Sequence, residues 1–189
     1  MVKALRPSVM RSSEWYKREE RDIAAWKTIR EQILRRDNHT CVYCNFRAYK
    51  FMMVNHIGPE DNHNPENLET VCKPCHSVLH IGVNAINGYV TVVASDANQA
   101  EIVRATRRLV CSGAAWTEIE KKILEQFLKP GGKVYSQEES IAWANRMLAS
   151  IPKEGFRGYL PDGLAVVFHE EGAWKEFPEA VHKWGCRNY

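Results

Sequence analysis

The sequence predicts a mixed α+β protein organised around a small metal-stapled core. Three observations carry this. Two Cys-x2-Cys pairs, Cys41/Cys44 and Cys72/Cys75, bracket a strand-like apolar run and a polar loop. A basic segment with helical patterning leads into the first pair. Beyond residue 84, short Val-rich runs alternate with amphipathic stretches, the pattern of a second α+β region. The chain of 189 residues can bury one sizeable core or two small ones. The division expected is 1–84 for the basic helix plus core (the core at about 37–82), and 85–189 for an accessory or partner-docking domain.

Residues 1–13 read as a poorly ordered tail, with Pro7 and Ser12-Ser13. From Glu14 to about Arg36, Trp15, Ile23, Trp26, Ile29, Ile33 and Leu34 recur at three- and four-residue steps, a helix with an apolar face. Cys41 to Cys44 is a tight turn, and Phe46 to Val54 a strand. Gly58 to Pro65 is a polar loop. A helix starting at Lys73 or Pro74 carries His76, Leu79 and His80, because proline suits the first turn. Tyr89–Val93 is a strand. Ser95 or Asp96 caps a helix to about Val110, and Ala115 to Leu128 forms another. Ser136-Gln137-Glu138-Glu139 fits a capping box for a helix to about Ala149. Leu164–Phe168 is a strand, and Gly172 to Trp184 a final helix.

The net charge of +3 conceals an asymmetry. Residues 1–36 hold ten Lys/Arg against five Asp/Glu; residues 37–84 hold three against five; residues 85–189 hold thirteen of each. The basic excess lies just upstream of the core. It fits a phosphate-facing arm, and equally a solvated amphipathic helix. Met1–Met10 has no apolar signal-like stretch, and no run approaches membrane-spanning length. A cytoplasmic, reducing setting is therefore expected, in which paired cysteines serve metal rather than disulfides. Cys111 and Cys186 are expected as free thiols.

Zinc favours four soft ligands in a tetrahedron, and two Cys-x2-Cys turns deliver them. Cys41, Cys44, Cys72 and Cys75 are thus expected to hold a structural zinc with no open position. A redox role for the pairs is the poorer reading, since no thioredoxin-like pattern surrounds them. His76 and His80 are four apart and share a helix face, so one divalent cation can bridge them.

Here the residues resemble a known family. Asn55-His56, Asn67 and His76-x3-His80 resemble the HNH (His-Asn-His) endonucleases of ββα-metal fold. The flanking Ile33-Leu34-Arg35-Arg36-Asp37, His56-Ile57-Gly58-Pro59, Asn67-Leu68 and Cys72-x2-Cys75-His76 are similar to the branch bearing a zinc knuckle. The resemblance covers roughly residues 26–80. It implies that His56 is the general base, that Asn67 holds the loop and orients His56, and that His76 and His80 bind one divalent metal (Mg²⁺, Mn²⁺, Ni²⁺ or Zn²⁺). It implies hydrolysis of DNA phosphodiester bonds, with His56, Asn67 and His80 in the catalytic set, and a bacterial or phage-encoded origin.

Asn55 stands where the family usually carries Asp, sometimes His, as a further metal ligand. Three consequences stay open: ligation through the amide oxygen at reduced affinity, a preference for nitrogen-loving ions, or an inactive site. Arg35, Arg36, Arg47, Lys50 and Lys73 are candidate phosphate contacts, His63 a lesser candidate ligand. Residues 85–189, balanced in charge, are expected to dock a protein partner. The rival reading is a zinc module with a decayed histidine site that binds nucleic acid or protein.

Overall fold

The computed structural model describes residues 2–11 and 23–177. The elements run β1 (Ser8–Met10), α1 (Ile23–Arg36), β2 (Met52–His56), β3 (Leu68–Cys72), α2 (Lys73–Leu79), α3 (Ile81–Ile86), β4 (Val90–Ala94), α4 (Gln99–Cys111), α5 (Trp116–Phe127), α6 (Gln137–Ala149), β5 (Arg157–Tyr159) and β6 (Leu164–Phe168). The fold is α+β. Three antiparallel two-stranded sheets pair β1 with β5, β2 with β3, and β4 with β6.

The central unit is the β2–β3 hairpin with α2 following directly. Met52 pairs with Cys72 and His56 with Leu68. Leu68, Val71, Cys75 and Val78 are buried almost completely; full burial of one aliphatic side chain is worth about 1.5–3 kcal/mol. Pro74 lies in the first turn of α2, where its missing N–H costs nothing. α1 lies against both strands of the hairpin, with Ile33 and Leu34 in the core and Trp26 and Ile29 packed against it.

Four expectations are corrected. The tail is not loose over its described part. Ser8–Met10 forms β1, and Lys3 donates its backbone N–H to the Val42 carbonyl. The strand expected over Phe46–Val54 is confined to Met52–His56. Arg47 makes only an isolated bridge to Thr40, and Phe51 adopts a left-handed φ of 59° that breaks extension before β2. α2 stops at Leu79, and His80 is the non-helical link to α3, with φ −130° and ψ 50°. α4 is capped by Asn98, whose side chain accepts from the Ala100 N–H, two or three residues past the caps expected at Asp96 or Ser95. The capping box at Ser136 is formed by reciprocal bonds with Glu139. Trp15, Trp184, Cys186 and most of the final helix expected at Gly172–Trp184 lie outside the described residues.

Contacts cross residue 84 repeatedly. β5 pairs with β1, α3 packs on α6, and α4 lies over the cysteine turns. Among the described residues no helix is long and apolar enough to cross a membrane.

Candidate active site

The four cysteines meet. Their Sγ atoms all lie within 4.8 Å of one another, with Cys44 and Cys72 3.5 Å apart, and all four are buried. Tetrahedral ligands at a Zn–S distance of 2.3 Å stand about 3.8 Å apart, so the cluster fits one zinc ion. The turns are built for this. Asn45 takes the left-handed φ of 60° that asparagine tolerates, and the Cys41 N–H bonds back to the Phe46 carbonyl. Hydrogen bonds from Cys41 and its neighbours, aided by Arg107, push the Cys44 thiol far below its ordinary value. Burial pushes Cys72 and Cys75 up. Four buried thiols cannot all ionise without a cation among them. The ion here would hold two turns and a helix start together.

Arg107, invisible as a site residue in the sequence, sits buried on α4 and donates from Nη1 to Cys44 Sγ at 3.3 Å, its guanidinium 4.7 Å from the Phe46 ring centre. Arg104 adds contacts to the Tyr43 and Cys44 carbonyls. Such outer contacts tune thiolate basicity.

β2 delivers Asn55 and His56 as adjacent residues of a strand end, hence on opposite faces. The His56 ring is 8% exposed, stacks on Trp26 at 5.5 Å with the planes 12° apart, and places Nε2 3.0 Å from His63 Nδ1. Burial, with the His63 and Arg157 charges, depresses its pKa to about 4, so it is neutral at pH 7. Asn67, ending the 3-10 turn Pro65–Asn67, accepts from the Gly58 N–H at 2.7 Å and donates to the Pro59 and Asn62 carbonyls at 2.8 and 2.7 Å. One side chain thus staples the loop that follows His56.

His76 and His80 stand 4.5 Å apart between ring centres. Burial lowers their pKa values to about 4 and about 3, which leaves them in the neutral form that binds metal. They line an open cleft of about 450 Å³ with Met53, Glu60, Lys73 and Asn84. The pair offers two neutral imidazoles side by side, donors of the type a divalent ion takes. Asn55 is differently placed. Its Nδ2 donates to Glu69 Oε1 at 2.9 Å, and its Oδ1 accepts from Arg157 at 3.3 Å. Glu69 also takes bonds from the Tyr43 hydroxyl at 2.6 Å and from Lys3 at 2.8 Å. Asn55 faces Glu69 directly across the β2–β3 pair, and a carboxylate there would face another.

Of the basic candidates, Arg36 is spent on Asp37 and the Pro65 and Leu68 carbonyls. Arg47 binds Asn38, and Arg35 pairs with Glu31 along α1. Lys73 lines the cleft itself.

A zinc-stapled hairpin and helix presenting histidines to a cleft defines a ββα-type nuclease core. The family model described as HNH endonuclease matches residues 41–81. A probable HNH endonuclease of Lactococcus phage SK1 is 34% identical over 77 residues, 36% of this chain and 77% of the phage protein. The type 4 apparatus protein DotN of Legionella pneumophila is 30% identical over 91 residues, 46% of this chain and 42% of that protein. The chain thus spans less than half of the latter and about three quarters of the former. The chain belongs to the HNH endonuclease family.

Proposed function

We propose that the protein is a metal-dependent endonuclease that hydrolyses DNA phosphodiester bonds. The observation that carries the reading is the convergence of a neutral His56, its loop stapled by Asn67, with the His76/His80 pair in one small hairpin-and-helix unit. His56 takes the proton from water as the water oxygen attacks phosphorus and the P–O bond to the leaving oxygen breaks. Its stacking on Trp26 and its bond to His63 fix the ring plane. Its neutrality at pH 7 lets the ring take up the proton. A divalent ion held by His76 and His80 would supply charge stabilisation at the leaving oxygen. Lys73, on the cleft wall, holds the phosphate electrostatically without reading sequence. The zinc, with no open position, serves the fold alone. Residues 85–189 act in this reading as a domain that both supports the core and docks a protein partner.

The test is incubation of zinc-loaded protein with supercoiled plasmid and Mg²⁺, Mn²⁺, Ni²⁺ or Zn²⁺, beside His56→Ala. Conversion to nicked or linear plasmid that the variant loses by about 10²-fold or more supports the reading. Equal cleavage by both overturns His56 as base.

A second reading is favoured by one observation, the engagement of both ends of the Asn55 amide. It is a zinc module without cleavage activity that binds nucleic acid or a protein, and the similarity to an apparatus protein accords with it. Plasmid binding or partner capture with no cleavage under any of the four ions would select it.

A further inference from the structure

Arg157 opens β5, and its side chain reaches from the C-terminal region into the corner where β2 ends and α2 stops. A guanidinium carries five N–H donors in a rigid fork. Nη2 donates to the His56 carbonyl at 2.6 Å and to Asn55 Oδ1 at 3.3 Å. Nη1 donates to Ser8 Oγ and to the Leu79 carbonyl, each at 3.1 Å. Nε donates to the Ile57 carbonyl at 3.4 Å. Every donor is used, and every acceptor is neutral. Nothing remains for a substrate phosphate, so this arginine is a strut and not an anchor. It brings a permanent positive charge to the histidine cleft.

Asn55 is locked by the same contact. Its oxygen faces Arg157 and its nitrogen faces the buried Glu69. Turning that oxygen toward an ion on His76 and His80 would strand one donor of Arg157 and one acceptor site of Glu69. Buried polar groups resist this strongly.

We propose that Arg157 is the positioning residue of the HNH cleft. It holds the Asn55–His56–Ile57 corner and keeps Asn55 out of metal binding, so a divalent ion has His76 and His80, not Asn55, as protein ligands. This rests on reading the cleft as the catalytic site. It also accounts for asparagine at position 55: the residue is half of a structural contact between β2, β3 and β5.

The experiment is calorimetric titration of the full-length, zinc-loaded chain with Mn²⁺ alone, with zinc content and circular dichroism checked for each variant. Asn55→Ala is expected to bind Mn²⁺ within about twofold of the parent. Arg157→Gln removes a like charge beside the ion and is expected to tighten binding about tenfold. Arg157→Lys keeps the charge but not the fork. It is expected to keep parental affinity while lowering kcat for plasmid cleavage at unchanged KM. A tenfold loss in Asn55→Ala makes Asn55 a ligand and overturns the proposal; so does unchanged affinity in Arg157→Gln, including no binding in either it or the parent. If Arg157→Gln does not fold, Asn55→Ala decides alone. Absence of cleavage in the parent tells against the endonuclease reading, while the Mn²⁺ series still decides the role of Arg157.

Discussion

Arg107 donates to the Sγ of Cys44 across 3.3 Å from a helix that begins after the family-matched segment has ended. Four thiolates around one zinc carry a net double negative charge into a buried site. A guanidinium bonded to one of them, and lying against Phe46, offsets part of it. Arg107→Met, which keeps the stem and removes the charge, should loosen zinc by about 10–100-fold. Competition with a chromogenic chelator measures this; an unchanged affinity would reduce Arg107 to a packing residue.

Asn67 makes three hydrogen bonds to one loop, so removing its side chain strands the Gly58 N–H and two carbonyls. Asn67→Ala should cost about 1–3 kcal/mol of stability by urea unfolding. Asn67→Asp keeps the acceptor to Gly58 but turns an oxygen on the two carbonyls, so it should cost at least as much. If the endonuclease reading holds, plasmid cleavage should decline in the same order.

Acid should destabilise the protein in a defined window. His76 and His80 take protons in the folded state only near pH 4 and 3, whereas an unfolded histidine does so near 6.5. As pH falls below about 6.5 the unfolded chain binds protons first. Stability contributed by these groups is present above that pH and is lost on the way down to 4. Urea midpoints without added divalent ion should decline between pH 7 and 4. His80→Gln should flatten that slope by at most about 1.4 kcal/mol per pH unit.

Asn55→Asp should behave opposite to an ordinary gain of charge. One oxygen of the new carboxylate keeps the Arg157 guanidinium, but the other replaces the donor to Glu69 across the hairpin, and the two like charges set together there raise each other's pKa. The folded form then holds a proton that the unfolded form releases. The variant should therefore melt about 5 °C or more below the parent at pH 8 and recover as pH falls toward 5. A rise in melting temperature on addition of Mn²⁺ that exceeds the parent's own rise would instead show the carboxylate turned to the ion.

What the sequence made legible was local. Cysteine spacing, the Pro74 helix start and the Ser136 capping box each involve residues a few positions apart, and short-range geometry decides them. The strand expected over Phe46–Val54, with its apolar run Phe51–Val54, misled because hydrophobicity alone does not register a left-handed residue at Phe51. β1 was missed because three residues of little periodicity become a strand only through β5. Arg107, Arg157 and Glu69 read as ordinary charges. Their meaning comes from partners such as Cys44 at 63 positions and His56 at 101 positions away. Asparagine at position 55 was visible as a departure from the family pattern, but the carboxylate facing it on the neighbouring strand was not.

The β1–β5 pairing also bears on the order in which the protein comes into being. Ser8 finds Tyr159, and Arg157 reaches Ser8 across 149 residues, so this corner closes one of the longest loops the chain can make. Such closure costs entropy that must be lost before its contacts form. During synthesis all four cysteines emerge by residue 80, but the His56 corner stays unbraced until residue 157 follows. The metal ligands are thus present on a growing chain well before the arginine that closes the cleft corner, a built-in delay between the two.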